Sequence, residues 1–281
     1  MKNNQEDQLE TQDIEIALLM EALYQKYGYD FRNYSKAHIK RRILNRFNLS
    51  GMQHVSEMIH ESLVNHKFVD QILMDLSITV TEMYRDPLFY RTLREQILPT
   101  FHSLPYIKIW HAGCASGEEV YSMAIMLREE GLFQKTQIYA TDFNPVIIRQ
   151  AKEGIYSINR MKEFTANYIK SGGKAAFSDY YTAQGETVKL LDTLKKNIVF
   201  ATHNLVTDSV FAEVNMVVCR NVLIYFDRTL QDKVIGLFVE SLPEGGILCL
   251  GSKENLQFSI HAPLFNPLIV NEKIYQKKIH F

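Results

Sequence analysis

IKIWHAGCASGEEVYSMAIMLREEG, Ile107 to Gly131, reads as an apolar strand, a tight loop opening at Gly113, and a helix with Glu118 and Glu119 in its first turn. A strand–loop–helix of this kind is how a doubly wound α/β domain begins a nucleotide pocket. Gly113 to Gly117 supplies the tight turn and close backbone approach such a pocket needs; an ordinary βα loop is the plainer account. The two carboxylates stand where a dinucleotide fold places its pyrophosphate. A helix N-terminus favours negative charge, so glutamate suits the helix but repels a phosphate. A ligand with a nucleoside end and positive charge fits better. S-adenosylmethionine, with its sulfonium and ammonium, is the candidate.

Downstream, short apolar strands alternate with helices. The strands fall at Ile107–His111, Gln137–Thr141, Ile198–Ala201, Met216–Cys219 and Gly246–Leu250. Helices fall at Glu118–Glu129, near Pro145–Lys152, and at Thr229–Leu242. This alternation predicts an α/β fold, a mostly parallel sheet covered on both faces. LFNPLIVNEKIYQKK reads as one further strand closing the sheet edge. The crossover between Gly154 and Asn197 is unusually long. Its FSDYYTAQGETVKLLDT segment predicts a small β-hairpin insertion at about 155–197.

Upstream, SITVTEMYRDP (Ser77–Pro87) reads as an extended connector. Asp86 then caps a helix with Pro87 at its first position, stopping before Pro99. Residues 13–76 carry only helical periodicity, in three or four short helices: Ile14–Tyr27, Ser35 (as N-cap) to Asn48, Val55–Asn65 and Phe68–Leu76. Residues 1–12 read as a disordered lead-in. The division is therefore a helical domain over 13–76 and a larger domain over 77–281.

Several further residues can carry chemistry. Asp142 ends the second strand, where an acidic side chain accepts both ribose hydroxyl hydrogen bonds of a nucleoside; a helix cap or turn former is the alternative. VVCRNVLIYFD places Cys219, Arg220 and Asn221 at a strand C-terminus, facing the ligand crevice, with Tyr225 one turn beyond. Asn204–Leu205 follow another strand and can flank an adenine ring. In the connector, Thr79, Thr81 and Arg85 alternate with apolar residues and can share one face. Finally, Phe31 to Ser56 holds six basic residues and no acidic one. His38, Arg41, Arg42 and Arg46 share one helical arc, while Ile39, Ile43 and Phe47 occupy another; Lys40 joins Arg41, Arg42 and Arg46 as a candidate docking residue. Against a solvated face, the uniform sign in a nearly neutral protein favours an acidic macromolecular partner.

Composition bounds the function class. The chain has 281 residues, 46% hydrophobic and 22% charged, with formal net charge −1. Nothing pulls it globally toward nucleic acid, and no nucleic-acid reader motif accompanies the basic run. Cys114, Cys219 and Cys249 form no CxxC pair, which predicts a reducing compartment and no metal site. A polar, acidic N-terminus without a signal peptide, and no run of bilayer length, predict a cytoplasmic protein with no direct membrane insertion. A monomer is the expectation.

Four blocks in order, VTEMYRDP, WHAGCASGEEVYSMAI, ATDFNPVIIRQAKEGIY and CRNVLIYFD with its following PEGGILCLGSKENL, resemble the chemotaxis-receptor glutamate methyltransferases of the CheR family. The likeness covers nearly the whole chain. It implies a class I S-adenosylmethionine-dependent methyltransferase with a Rossmann-like sheet. It implies methyl transfer to glutamates on the cytoplasmic helices of a methyl-accepting receptor, with S-adenosylhomocysteine as product. Thr81 and Arg85 match connector residues that reach cofactor and active site. Glu119, with Glu118 beside it, matches the acidic residue after the Gly-rich turn, and Asp142 the ribose ligand. Asn204–Leu205 and Cys219–Asn221 match the other cofactor loops, Tyr225 a tyrosine near the transferred methyl, and the basic helix the receptor-facing surface. The β insertion in some members grips a short peptide at the receptor's C-terminus. Met83–Tyr84 stand where many members have two phenylalanines, and Thr79 where some have asparagine. A non-catalytic adenosylmethionine-binding signalling module, or a carboxyl methyltransferase with an acceptor outside chemotaxis, are the competing readings.

Overall fold

Apolar strands buried on both faces cannot stand alone, and here they assemble into a seven-stranded sheet. The computed structural model describes residues 4–77 and 81–279. Two units are distinct: Met1–Ile78 with Tyr225–Gln231, and Thr79–Ile224 with Asp232–Phe281.

The first unit contains α1 (Asn4–Tyr27), α2 (Lys36–Ser50), α3 (Val55–Val64) and α4 (His66–Leu76). Leu19, Leu23, Ile43, Met58 and Ile72 form its buried interior. Helix α1 starts at Asn4, inside the stretch whose composition reads as a disordered lead-in. Gln, Glu and Leu are good helix formers and no Gly or Pro interrupts them, so a helix anchored by its buried later turns propagates outward at little cost. Ser35 makes no side-chain cap. Its backbone N–H instead donates to the Tyr225 carbonyl at 2.8 Å. Tyr34 bridges Phe226 and meets its ring edge-on at 4.9 Å. These contacts draw Tyr225–Gln231 into the helical unit.

The second unit opens with α5 (Pro87–Thr92), which runs on as a π turn over Leu93–Ile97 and a 3₁₀ turn over Leu98–Ser103. Pro99 does not stop it, because it falls in the first turn of the 3₁₀ segment, where no N–H is needed. The strands are β1 (Ile107–Ala112), β2 (Thr136–Asp142), β3 (Ile155–Ser157), β4 (Tyr181–Gln184), β5 (Thr187–Leu190), β6 (Ile198–Thr202), β7 (Met216–Cys219), β8 (Ile247–Leu250), β9 (Phe265–Ile269) and β10 (Ile274–Lys277). The main sheet has the order β6-β2-β1-β7-β8-β10-β9. Five strands are parallel; β10 runs antiparallel to both neighbours. The C-terminal stretch is therefore two paired strands, not one, because a turn at Val270–Lys273 folds it back. Strand order reverses between β1 and β7, so the loops after these two diverge and leave a crevice at their carboxyl ends.

Around the sheet lie α6 (Glu118–Glu129), α7 (Pro145–Glu153), α8 (Met161–Lys170), the single turn α9 (Asp192–Lys195) and α10 (Arg228–Ser241). The insertion is more than a hairpin: β4 and β5 join at a two-residue Gly185–Glu186 turn, and β3 pairs with β5 to make three antiparallel strands. It is tied to the C-terminal end of α6. Glu129 accepts from Tyr180 Oη at 2.9 Å, from the Lys174 N–H at 3.1 Å, and from Tyr168 Oη. Arg94 completes the knot at 2.6 Å.

Candidate functional site

The loop after β1 is built on glycine for two reasons. Gly113 and Gly117 have φ of 77° and 91°, which L side chains rarely adopt. A Cβ on Gly113 would also stand 2.6 Å from Val222 Cγ2. The N–H groups of Gly113 and Cys114 both donate to the Thr141 carbonyl, at 2.9 and 2.8 Å, locking the loop to β2. Four of the non-glycine residues with positive φ lie in this region: Tyr84, Asp86, Ala115 and Asn221. Such conformations are costly and gather where function demands a particular backbone path.

The two glutamates of the first α6 turn go different ways, as adjacent helical residues must. Glu118 is 1% exposed and faces the insertion. Its Oε1 accepts from Arg160 Nη1 at 2.9 Å and its Oε2 from Ser116 Oγ at 2.6 Å. Burial pushes its carboxyl above the ordinary range, and Ser116 and Arg160 offset part of that. Glu119 keeps 18% of its side chain exposed. Burial pushes it up too, but His111 and Arg220 outweigh this and hold it below the usual value. Of the pair, Glu119 is the carboxylate able to meet a cation; Glu118 is closed off by protein contacts.

Arg220 is 2% exposed in its side chain. It donates from Nη1 to Glu119 Oε2 at 2.9 Å and from Nη2 to Asp86 Oδ2 at 2.6 Å. Its guanidinium lies 4.0 Å over the Phe89 ring. Arg220 therefore acts on neighbouring carboxylates and does not present its charge outward. Asp86 correspondingly makes no helix cap, since its carboxylate is spent on Arg220. Cys219 is fully buried as well, backbone included.

Asp142 ends β2 with its carboxyl pushed up to about 6 by burial, against backbone N–H bonds from Asn144, Ala115 and Phe143. The Ala115 and Asn144 bonds are 3.1 and 3.0 Å. Three accepted bonds on a carboxylate with about four lone-pair sites leave room for a ribose hydroxyl. After β6, Asn204 Oδ1 accepts from the Val206 N–H at 3.0 Å, an Asx turn, and Leu205 is buried.

Two functional residues escaped the reading of the sequence. Glu254 is buried and takes four backbone N–H groups: Asn221 (3.0 Å) and Gly251 (2.6 Å) on Oε2, Val222 (2.8 Å) and Ile224 (3.4 Å) on Oε1. It shapes the Cys219–Ile224 loop. Gly251 is required beside it, since a Cβ there would sit 2.8 Å from the Asn221 nitrogen. Arg160 joins Glu118 to the Thr81 carbonyl, so the insertion braces the connector. No local pattern marks either residue; apart from Gly251, three positions before Glu254, their hydrogen-bond partners lie 30 to 79 positions away.

In the connector, Met83 and Tyr84 are fully buried, and the Tyr84 ring meets Tyr90 and Tyr168 at 5.0 and 5.3 Å. This pair is core, not pocket wall. Arg85 is partly exposed, and its carbonyl accepts from Arg220 at 3.4 Å. Thr79 lies outside the described residues. Tyr225 belongs to the helical unit, where its ring meets His38 edge-on at 5.1 Å.

The basic helix is not a free cationic face. Lys40 pairs with Asp13 at 2.7 Å. Arg46 grips Asp75, and Arg42 donates to the Asp75 and Ser77 carbonyls. Counting charge along one segment missed acids supplied by α1 and α4. Lys36 and Arg41 remain exposed.

A crevice at the switch point, a tight glycine-built turn, carboxylates at the end of β2 and the start of α6 and an exposed edge on Glu119 fit a nucleoside with a cationic tail. The comparisons agree. Residues 79–266 match the family described as CheR methyltransferase, SAM binding domain, and residues 14–76 match CheR methyltransferase, all-alpha domain. Cher3, a candidate methyltransferase of Pseudomonas putida, is 49% identical over 94% of this chain and 97% of its own. A chemotaxis protein methyltransferase of Listeria monocytogenes is 29% identical over 82% and 85%. One from Vibrio anguillarum is 32% identical over 63% and 64%. The chain belongs to the CheR methyltransferase family and is an S-adenosylmethionine-dependent methyltransferase.

Proposed function

We propose that the protein transfers a methyl group from S-adenosylmethionine to glutamate side-chain carboxylates on the cytoplasmic region of a chemoreceptor, releasing S-adenosylhomocysteine. The observation that carries this is the match of both family domains, all-alpha and SAM-binding, in order on one chain. The chemotaxis methyltransferases among its relatives extend over most of their own length, which supports a shared acceptor class.

S-adenosylmethionine supplies an electrophilic methyl on sulfur. Glu119 would hold its ammonium, Asp142 its ribose hydroxyls, and Asn204–Leu205 would flank the base. Asn221, in the left-handed region at φ 63°, would present the backbone after β7 to the same ligand. An acceptor glutamate has a reference pKa of about 4.3 and is already ionised at neutral pH, so no strong base is required. Positioning and removal of water from the carboxylate do the work. Arg85 would orient that carboxylate; Tyr225, assigned by resemblance to the transfer end, would offer it a weaker hydrogen bond.

The test is transfer of labelled methyl into receptor-containing membranes. Base-labile label on receptor glutamates is expected from the wild type, and Arg85→Ala should lose it while still binding S-adenosylhomocysteine. Tight cofactor binding without any transfer would indicate a non-catalytic module. A second reading, an acceptor outside chemotaxis, draws on the internal pairing of Lys40, Arg42 and Arg46 and on the higher identity to Cher3. Label appearing on another protein while the receptor stays unlabelled would establish it.

A further inference from the structure

His111, fully buried, is the next-to-last residue of β1, beside the loop opening at Gly113. Its Nδ1 lies 3.2 Å from Glu119 Oε1. Its Nε2 has no hydrogen-bond partner among the described residues. Arg220 holds the other oxygen of Glu119 at 2.9 Å and is held in turn by Asp86.

This arrangement decides where the imidazole proton sits. An orphaned buried N–H is rarer and costlier than an under-satisfied acceptor. A bare Nε2 and a protonated Nδ1 aimed at Glu119 is the arrangement that avoids it. The arrangement also decides what Glu119 can do. A carboxylate beside a guanidinium tends to swing into a two-pronged pair that engages both oxygens. A donor on Oε1 opposes that swing. A neutral donor does so without cancelling charge: Glu119, Asp86 and Arg220 together keep one net negative charge, which a histidinium would remove.

We propose that His111 is a positioning residue for methyl-donor recognition: as the neutral Nδ1–H tautomer it fixes Glu119 so that this carboxylate, still anionic overall with its partners, faces the donor's ammonium group. The inference rests on the assignment of Glu119 to the cofactor made above. No feature of the sequence alone singles out a histidine inside the strand.

Two measurements test it. In the wild-type protein, ¹⁵N NMR of the histidine rings should show His111 with Nδ1 protonated and Nε2 bare, and the Nδ1 signal should shift on adding S-adenosylhomocysteine. The opposite tautomer, or a histidinium at pH 7, overturns the proposal without recourse to any variant. Calorimetry with S-adenosylmethionine and S-adenosylhomocysteine then compares three substitutions. His111→Asn puts an amide nitrogen near the Nδ1 position and should bind within about threefold of wild type; His111→Gln moves the donor to the wrong position and His111→Leu removes it, and both should bind about tenfold more weakly. Equal losses in all three, or no loss in any, refute the role. Glu119→Gln serves as the separate control: binding as tight as wild type would remove Glu119 from the site, a failure of the underlying assignment and not of His111.

Discussion

Replacing Glu254 by glutamine changes one atom and should damage the site loop severely. The carboxylate takes two backbone N–H groups on each oxygen. Glutamine keeps the volume but can accept on only one oxygen, and its amide nitrogen would confront two N–H donors. Those donors are buried with Glu254, which is 4% exposed. A buried donor left unsatisfied costs about 1–3 kcal/mol, so two cost roughly 2–6. Relief of a buried charge offsets part of this, because burial already pushes the Glu254 carboxyl above its ordinary range. The net expectation is about 3 kcal/mol, which for a domain of this size lowers the melting temperature by about 6–12 °C. Scanning calorimetry of Glu254→Gln against wild type measures it, and S-adenosylhomocysteine titration reads the effect on the loop carrying Arg220 and Asn221. A variant melting within about 2 °C of wild type, less than 1 kcal/mol at this domain size, would refute the template role.

Other consequences follow from the same geometry. The folded Asp142 carboxyl sits near 6, above its ordinary value of 3.8. Between those values the folded state holds a proton the unfolded chain has lost, so Asp142 makes ligand-free stability fall as pH rises to about 6 and level off above it. Ribose hydroxyls donate to the ionised form, so cofactor affinity should weaken as pH drops through 6, by at most about tenfold per unit; calorimetry on Asp142→Asn should show weaker, pH-flat binding. Gly113→Ala meets Val222 and a positive φ together and should cost more than about 1 kcal/mol. Adding Val222→Ala should restore only the steric part, and full recovery in denaturant melts would contradict the backbone argument. Arg160→Met leaves Glu118 buried without its cation. Since the folded Glu118 carboxyl is already raised, its contribution makes stability fall with rising pH up to that value, and the variant should extend this loss to higher pH. Urea melts across pH 5 to 8 that track wild type would refute it.

Local chemistry made much of the larger domain readable. Helix α6 occupies Glu118–Glu129 as the pattern of the sequence has it, because Gly117 and two first-turn glutamates are strong start signals. Strands β1 and β7 are apolar runs with turn residues after them, and such runs find partners in a parallel sheet regardless of detail. The candidate residues Gly113, Asp142 and Asn221 were visible because each stands at or just beyond a strand end, and Glu119 because it lies in the first turn of the helix after β1. The helical unit was less legible. Polar helix formers before Asp13 read as a lead-in, although a helix anchored at Leu19 and Leu23 extends through them.

By itself, then, the sequence determined the alternation of elements, the loops that close the strands and the family these motifs resemble, because propensity and turn chemistry act over a few residues. Only the tertiary structure decided which charges meet. It sent Glu118 to Arg160 and Glu119 to His111 and Arg220, turned Asp86 from a cap into a counter-ion, and paired Arg46 with Asp75, 29 positions away. Electrostatic pairing depends on distance in space and on burial, and neither is written in the spacing of residues along the chain.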